Sequence, residues 1–145
     1  MEIHTIGFTK KTAAQFFGAL RAAGIEQLLD VRLNNVSQLA GFTKRDDLDF
    51  FVTELCQAVY RHEPLLAPTQ PLLDTYKKKL GTWSEYEDQF LRLMADRRIE
   101  ERLDPGLFAP RTALLCSELT AERCHRRLVV EYLDKTWGDV RAVHL

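Results

Sequence analysis

The chain has 145 residues, of which 46% are hydrophobic and 28% charged, a composition typical of a globular protein that can bury its own core. Its formal net charge of −1 gives no bulk electrostatic reason to bind nucleic acid or a membrane, so any anion site has to be built locally. The N-terminal residues lack a signal-peptide pattern, and no apolar run reaches the about 18 residues of a membrane span. We expect one domain over residues 1–145, in the cytoplasm and without a membrane partner; the oligomeric state stays open.

The first third of the chain predicts a strand, a helix and a strand. Residues 2–6 form a short strand-like run, and residues 12–23 carry apolar side chains at helical spacing. Gly24 is a natural stop for this helix. A second short apolar run covers residues 27–31. These elements together have the length of a βαβ unit, about 30 residues, which favours a parallel sheet.

A loop rich in Asn, Ser and Gly follows over residues 33–43. The next helix is predicted over residues 44–57 with Thr43 as its N-cap. Five apolar residues are expected on its inner side: Leu48, Phe51, Val52, Leu55 and Val59.

A third strand over residues 58–62 precedes a proline-rich break. A helix is then predicted over residues 72–79. Ser84 and Glu87 have the spacing of a capping box that opens another helix.

The last third repeats the opening order, with a strand at 112–117, a helix at 120–134 and a strand at 140–145. About five strands therefore alternate with helices. This alternation predicts an α/β fold: a Rossmann-like open, mostly parallel sheet of about five strands with helices on both faces.

Polar side chains collect where the predicted strands end. In an open parallel sheet, ligands bind outside the carboxyl ends of the strands. The residues at these exits are Thr5, Gly7, Thr9, Asp30, Arg32, His62, Glu63, Cys116, Ser117 and Glu118.

The helix after the fourth strand begins with an unusual concentration of positive charge. Arg123, Arg126 and Arg127 fall within its predicted first two turns, where cations oppose the helix dipole at a cost of about 0.3–1 kcal/mol each. A bound anion would be held by these charges together with the free backbone N–H groups. The alternative is that the arginines lie on the solvent face and pair with Glu122, Glu131 or Asp134.

The three cysteines are too few for a disulfide framework and are expected to be reduced. Cys56 fits a helix core. Cys124, near a helix N-terminus and beside cations, is where a thiol pKa is lowered. Cys116 ends an apolar strand and on composition alone is more often inert. The Cys116 to His125 spacing matches no known closed zinc site, and we predict no metal.

The sequence resembles the family known as domain of unknown function 488 along essentially its whole length. The segments that carry the resemblance are residues 5–9, 30–35, 37–42, 66–69, Trp83 with Tyr86, Leu114-Leu115-Cys116-Ser117-Glu118, and Cys124-His125-Arg126-Arg127. It implies a small Rossmann-like prokaryotic protein whose motifs gather at one end of the sheet. It implies no established activity.

We expect an enzyme that acts on an anionic ligand that carries phosphate, such as a nucleotide or a nucleic-acid component. In this hypothesis the catalytic residues are Cys116, Glu118, Cys124, His125 and Asp30. The ligand-binding residues are Thr5, Gly7, Thr9, Arg32, Asn35 and Arg126.

Two alternatives stay open. The chain is either a non-catalytic module that binds nucleotide or nucleic acid, or a metal-dependent hydrolase that uses Cys116, Cys124, His125 and a carboxylate. The sequence contains neither a Gly-x-Gly-x-x-Gly nor a P-loop motif, so the usual signatures of dinucleotide binding and nucleotide triphosphate hydrolysis are missing, and the cofactor stays unknown.

Overall fold

A computed structural model describes residues 1–36, 41–117 and 123–145. Within these residues the strands are β1 (Glu2–Gly7), β2 (Gln27–Asp30), β3 (Val59–His62), β4 (Thr112–Cys116) and β5 (Arg141–His144). The helices are α1 (Ala13–Ala22), α2 (Arg45–Cys56), α3 (Gln70–Lys77), α4 (Trp83–Asp96), α5 (Ile99–Arg102) and α6 (His125–Trp137). No helix of this described part is long and apolar enough to cross a membrane.

The strands form one sheet in the order β3-β2-β4-β1-β5, with every pairing parallel. The predicted α/β fold with an open parallel sheet is therefore confirmed. β1 and β2 are consecutive in sequence but do not pair, because β4 lies between them. The register aligns Gly7 with Cys116 and Asp30 with Leu115, so the ends of the three central strands come together at one edge.

Helices cover both faces of the sheet. Side chains of successive strand residues point to opposite faces, so Leu28 packs into one core cluster and Leu29 into the other. The first cluster contains residues of α1 and α2, such as Phe16 and Val52. The second contains residues of α4, α5 and α6, such as Phe90 and Leu128.

Helix α1 begins and ends with clear local signals. Thr12 accepts a hydrogen bond from the Gln15 backbone N–H, and the Gln15 side chain accepts from the Thr12 backbone N–H, which is a complete capping box. Gly24 follows the helix at φ +67°, a conformation that glycine adopts without steric cost. The predicted stop at Gly24 is confirmed, whereas the capping box at Thr12 was not anticipated.

Two predicted helix caps were wrong. Helix α4 begins at Trp83 with Thr82 as its N-cap, because Thr82 and Glu85 have the same spacing as Ser84 and Glu87 and occur two residues earlier. Helix α2 has Lys44 as its N-cap without a side-chain bond. Thr43 is buried in a short 3₁₀ turn before α2.

The inner face of α2 is narrower than predicted. Leu48 and Val52 are fully buried, and Phe51 packs against the same cluster. Leu55 and Val59 are instead exposed. Val59 belongs to the edge strand β3 and points to the face opposite Tyr60, whose ring packs against the first core cluster.

Candidate functional site

A cavity of about 130 Å³ opens at the carboxyl edge of the sheet. Its walls come from the segment after β2, the end of β4, the start of α6, and helices α3 and α4. The predicted location at the strand ends therefore coincides with a cavity of the described structure.

The charged side chains that line this cavity are Arg32, Lys77 and Arg123. Among the described lining residues, none is acidic. His125 also lines the cavity, and burial lowers its pKa to about 4, so it is neutral near pH 7. The cavity wall is therefore complementary to a negatively charged ligand. Lys77 is the last residue of α3 and the first of three consecutive lysines, and its neighbours Lys78 and Lys79 do not line the cavity.

Three aromatic rings form a second wall. Trp83 and Tyr86 are stacked, with ring centroids 5.1 Å apart and planes inclined by 19°. Tyr76 lies 5.5 Å from Trp83 and 5.2 Å from Tyr86. The α4 rings pack on the core through Tyr86, which is buried, while Tyr76 and Trp83 are half-buried. This wall offers flat apolar surface beside the cationic residues.

Cys116 and Cys124 are joined as a disulfide at the cavity. Cys116 is the last residue of β4, and Cys124 is the N-cap of α6. The expectation of reduced thiols was therefore wrong for this pair. A separation of eight residues does not reveal the contact, which arises because α6 begins directly above the end of β4. Cys56 is free, and its half-buried thiol donates to the carbonyl of Phe17 at 3.8 Å.

His125 is held between a backbone carbonyl and a sulfur atom. Its Nε2 lies 2.7 Å from the carbonyl oxygen of Val31, and its Nδ1 lies 3.6 Å from Sγ of Cys116. A carbonyl only accepts hydrogen bonds, so Nε2 carries the proton and Nδ1 directs a lone pair at Cys116. This orientation is the one required of a base that acts on Cys116.

Arg126 and Arg127 have different environments although they are adjacent. Arg126 is 1% exposed, and its Nη1 lies 3.9 Å from Sγ of Cys124. Arg127 pairs with Glu131 at 2.6 Å and with Glu87 at 3.2 Å. The alternative of surface pairing is thus correct for Arg127, whereas Arg126 brings a buried positive charge to the sulfur pair.

Asp30 lies under the cavity and is completely buried. It accepts hydrogen bonds from Nε and Nη2 of Arg32, each at 2.8 Å, and from the Tyr60 hydroxyl at 2.6 Å. Asn35 approaches the same carboxylate at 3.4 Å. Burial, together with the Asp30 charge, raises the pKa of Tyr60. Tyr60 was missed, since a tyrosine in an edge strand has no sequence signal.

Asp30 therefore fixes the position of Arg32. Nη2 of Arg32 also donates to the carbonyl of Thr43 at 2.7 Å. Its Nη1 is buried and has no hydrogen-bond partner among the described residues. Because Arg32 lines the cavity, this guanidinium keeps donor capacity for a bound group.

The family model for the domain of unknown function DUF488 matches residues 12–133. The chain belongs to the DUF488 family. Searches of curated proteins and of solved structures give no match. The resemblance in the sequence is thus confirmed, and the family description assigns no reaction.

Several residues predicted to bind ligand lie outside the cavity of this DUF488 chain. Oγ1 of Thr5 lies 2.5 Å from Nδ1 of His144, and the Gly7 carbonyl accepts from Nζ of Lys11 at 2.6 Å. The Thr9 hydroxyl donates to the carbonyl of Ser117. None of these three residues lines the cavity, which the structure instead builds from the ends of β2 and β4.

Two predictions concern the segment before α6. The structure gives α6 from His125, whereas Thr120, the predicted start of this helix, lies outside the described residues. Glu118, a predicted catalytic residue, lies outside the described residues.

The sulfur atoms of Cys116 and Cys124 and a ring nitrogen of His125 lie within 4.8 Å of one another. After reduction of the disulfide, this set of two thiolates and one imidazole has the chemistry of a zinc site with an open position. The composition of this cluster suits both thiol chemistry and metal binding.

Proposed function

We propose that this chain is an enzyme acting on an anionic ligand that carries phosphate, of the nucleotide or nucleic-acid-derived class, at the carboxyl edge of its sheet. One observation carries the proposal. The reactive pair Cys116 and Cys124 opens on a cavity in which all charged side chains among the described lining residues are cationic.

The cavity offers a ligand two kinds of wall, one with cationic side chains and one with flat aromatic rings. The free donor of Arg32, with Lys77 and Arg123, supplies the positive groups for a phosphate. The wall of Tyr76 and Trp83 supplies surface on which a planar ring stacks. A ligand with both features, such as a mononucleotide, uses both walls.

The chemistry starts from the reduced pair. Cys124 occupies the N-cap position of α6, without a side-chain cap hydrogen bond, and contacts the Arg126 guanidinium. A helix N-terminus and a nearby cation both stabilise a thiolate. Cys124 is therefore the attacking group, and Arg126 acts on it rather than on the ligand. His125 is oriented to take the proton of Cys116. Asp30 acts as a positioning residue for Arg32, not as a proton carrier, because its oxygens are occupied.

The experiment is the pH dependence of alkylation of the reduced protein, resolved by peptide mass spectrometry. We expect Cys124 to react with a pKa below the free-thiol value of about 8.5. We also expect inorganic phosphate and adenosine monophosphate to protect it. Arg126→Ala should raise this pKa toward the free-thiol value, and Cys56 in the same sample serves as an internal reference thiol that phosphate does not protect.

Two outcomes would replace the proposal. A Cys124 that reacts no faster than Cys56, together with retained binding of adenosine monophosphate, would favour the non-catalytic binding module. Stoichiometric zinc in protein reduced and purified without a histidine tag would favour the metal-dependent hydrolase.

A further inference from the structure

We propose that Cys116 and Cys124 form a dithiol–disulfide couple that exchanges two electrons with small anionic disulfides bound in the cavity. This inference rests on the proposed function for its anion cavity and for its attacking thiolate. It adds a reaction and a substrate class to that site.

The first support is that the structure contains the oxidised member of the couple. Cys116 and Cys124 are joined, and both line the cavity while remaining only 3% and 2% exposed. A disulfide that only fastens two elements needs no access to a ligand cavity. Here both cysteines belong to the cavity wall, so a molecule bound in the cavity lies beside the disulfide.

The second support is that the two sulfur atoms have different partners. Cys124 has the N-terminus of a 13-residue helix and the Arg126 guanidinium at 3.9 Å, which favour the thiolate. Cys116 has Nδ1 of His125 at 3.6 Å, which accepts a proton. Exchange through a mixed disulfide needs these two roles: one thiol ionised for the first attack, and one deprotonated for the second.

The exchange takes place in two steps, one for each cysteine. The Cys124 thiolate attacks one sulfur atom of the substrate disulfide. A Cys124–substrate disulfide forms as the substrate S–S bond breaks. The first substrate thiolate leaves and is protonated by water. Cys116 then passes its proton to His125 and attacks Sγ of Cys124. The protein disulfide forms, the mixed disulfide breaks, and the second thiolate leaves with the proton from His125.

The net reaction converts one protein dithiol and one substrate disulfide into one protein disulfide and two substrate thiols. An external dithiol reduces the protein disulfide by the same steps in reverse, which completes a cycle. The cavity wall provides the selectivity. Lys77 and Arg123 attract anionic disulfides and repel cationic ones.

The experiment uses reduced Cys56→Ser protein, so that only the proposed couple carries thiols. It is mixed with dithiobis(nitrobenzoate), an anionic aromatic disulfide whose thiolate product is coloured. We expect two equivalents of coloured thiolate per protein and a Cys116–Cys124 linked peptide by mass spectrometry. With Cys116→Ser added, we expect one equivalent and a mixed disulfide trapped on Cys124.

Charge selectivity is tested with three aliphatic disulfides: anionic dithiodipropionate, neutral hydroxyethyl disulfide and cationic cystamine. Each rate is divided by the rate of the same disulfide with mercaptoethanol, which removes differences in leaving-group chemistry. We expect the normalised rate to be about tenfold or more higher for the anion than for the cation at low salt. Lys77→Gln should reduce this ratio, whereas Lys78→Gln, the exposed neighbour outside the cavity, should not.

Two results would overturn the inference: a stable mixed disulfide on Cys124 with Cys116 intact, or equal normalised rates for anion and cation. The first result, found together with phosphate-protected alkylation of Cys124, would leave the proposed function standing and refute only the redox couple. Loss of phosphate protection would refute the proposed function itself.

Discussion

Two buried polar clusters lie at the same edge of the sheet, and they are built differently. The carboxylate of Asp30 is surrounded by donors from Arg32, Tyr60 and Asn35, so its charge is fully compensated. In the second cluster, Cys116 and Cys124 are bonded to each other and line the cavity, and their contacts with His125 and Arg126 are long, at 3.6 and 3.9 Å. The Asp30 cluster is saturated, because its carboxylate oxygens already accept several hydrogen bonds, and it therefore fixes geometry. The sulfur cluster is not saturated and is available for chemistry.

The largest loss of stability is expected when the saturated cluster loses the Asp30 carboxylate. Asp30→Ala leaves the Arg32 guanidinium buried without its counter-charge, and we expect the free energy of unfolding to fall by about 3–5 kcal/mol. Urea denaturation in reducing buffer measures this change in the free energy of unfolding. Cys124→Ser in the same buffer should cost less than half as much, and the reverse order would contradict the contrast between the clusters.

The pH dependence of stability tests the second cluster. Burial lowers the pKa of His125 to about 4, while the unfolded chain has the ordinary value of 6.5. Between these values the unfolded state binds the proton and the folded state does not, so stability decreases as pH falls from about 6.5 to about 4. We expect His125 to contribute a loss of about 3 kcal/mol over this range. His125→Gln should remove that part of the slope; an unchanged slope would show that His125 does not titrate as its burial implies.

A smaller effect is expected where the saturated cluster loses one donor of several. Tyr60→Phe removes the 2.6 Å hydrogen bond to Asp30 but leaves the ion pair with Arg32. Since a hydrogen bond to a charged group contributes about 1.5–3 kcal/mol, we expect a loss near the lower end. Thermal unfolding measures the stability of Tyr60→Phe. Tyr76→Phe, whose ring lies at the cavity, is the control for loss of a tyrosine hydroxyl outside the Asp30 cluster. A loss equal to that of Asp30→Ala would mean that Tyr60, not Arg32, is the main partner of the carboxylate.

The smallest loss of stability is expected when the ion pair between Arg127 and Glu131 is removed. Glu131→Gln removes the partly exposed pair with Arg127, which is worth about 0.3–0.5 kcal/mol on a helix. The alkylation rate of Cys124 should stay unchanged, because Arg127 does not contact the sulfur. A clear change in that rate would show that the charge of Arg127 reaches the cluster.

The architecture follows from periodicity and could be predicted: buried strands such as residues 112–116 and helix stops such as Gly24 have local signals. The edge at which the site lies follows from the parallel sheet. The disulfide could not be predicted, because the Cys116–Cys124 contact depends on where α6 begins. Helix starts are ambiguous wherever two capping spacings overlap, as at Thr82 and Ser84. The sequence also could not show that Arg126 is buried and Arg127 is not. Adjacent arginines on a helix point to different faces, and which face packs inward depends on the tertiary structure.

The strand order also determines when the protein is able to fold. β4 lies in the centre of the sheet and pairs with both β1 and β2, yet it is encoded late in the chain. A nascent chain that ends before residue 112 therefore has two apolar strands whose backbone groups lack their common partner. Such long-range pairing slows folding and exposes strand edges during synthesis. Because β4 also carries Cys116, the sulfur cluster cannot form before the strand at the centre of the sheet has been synthesised.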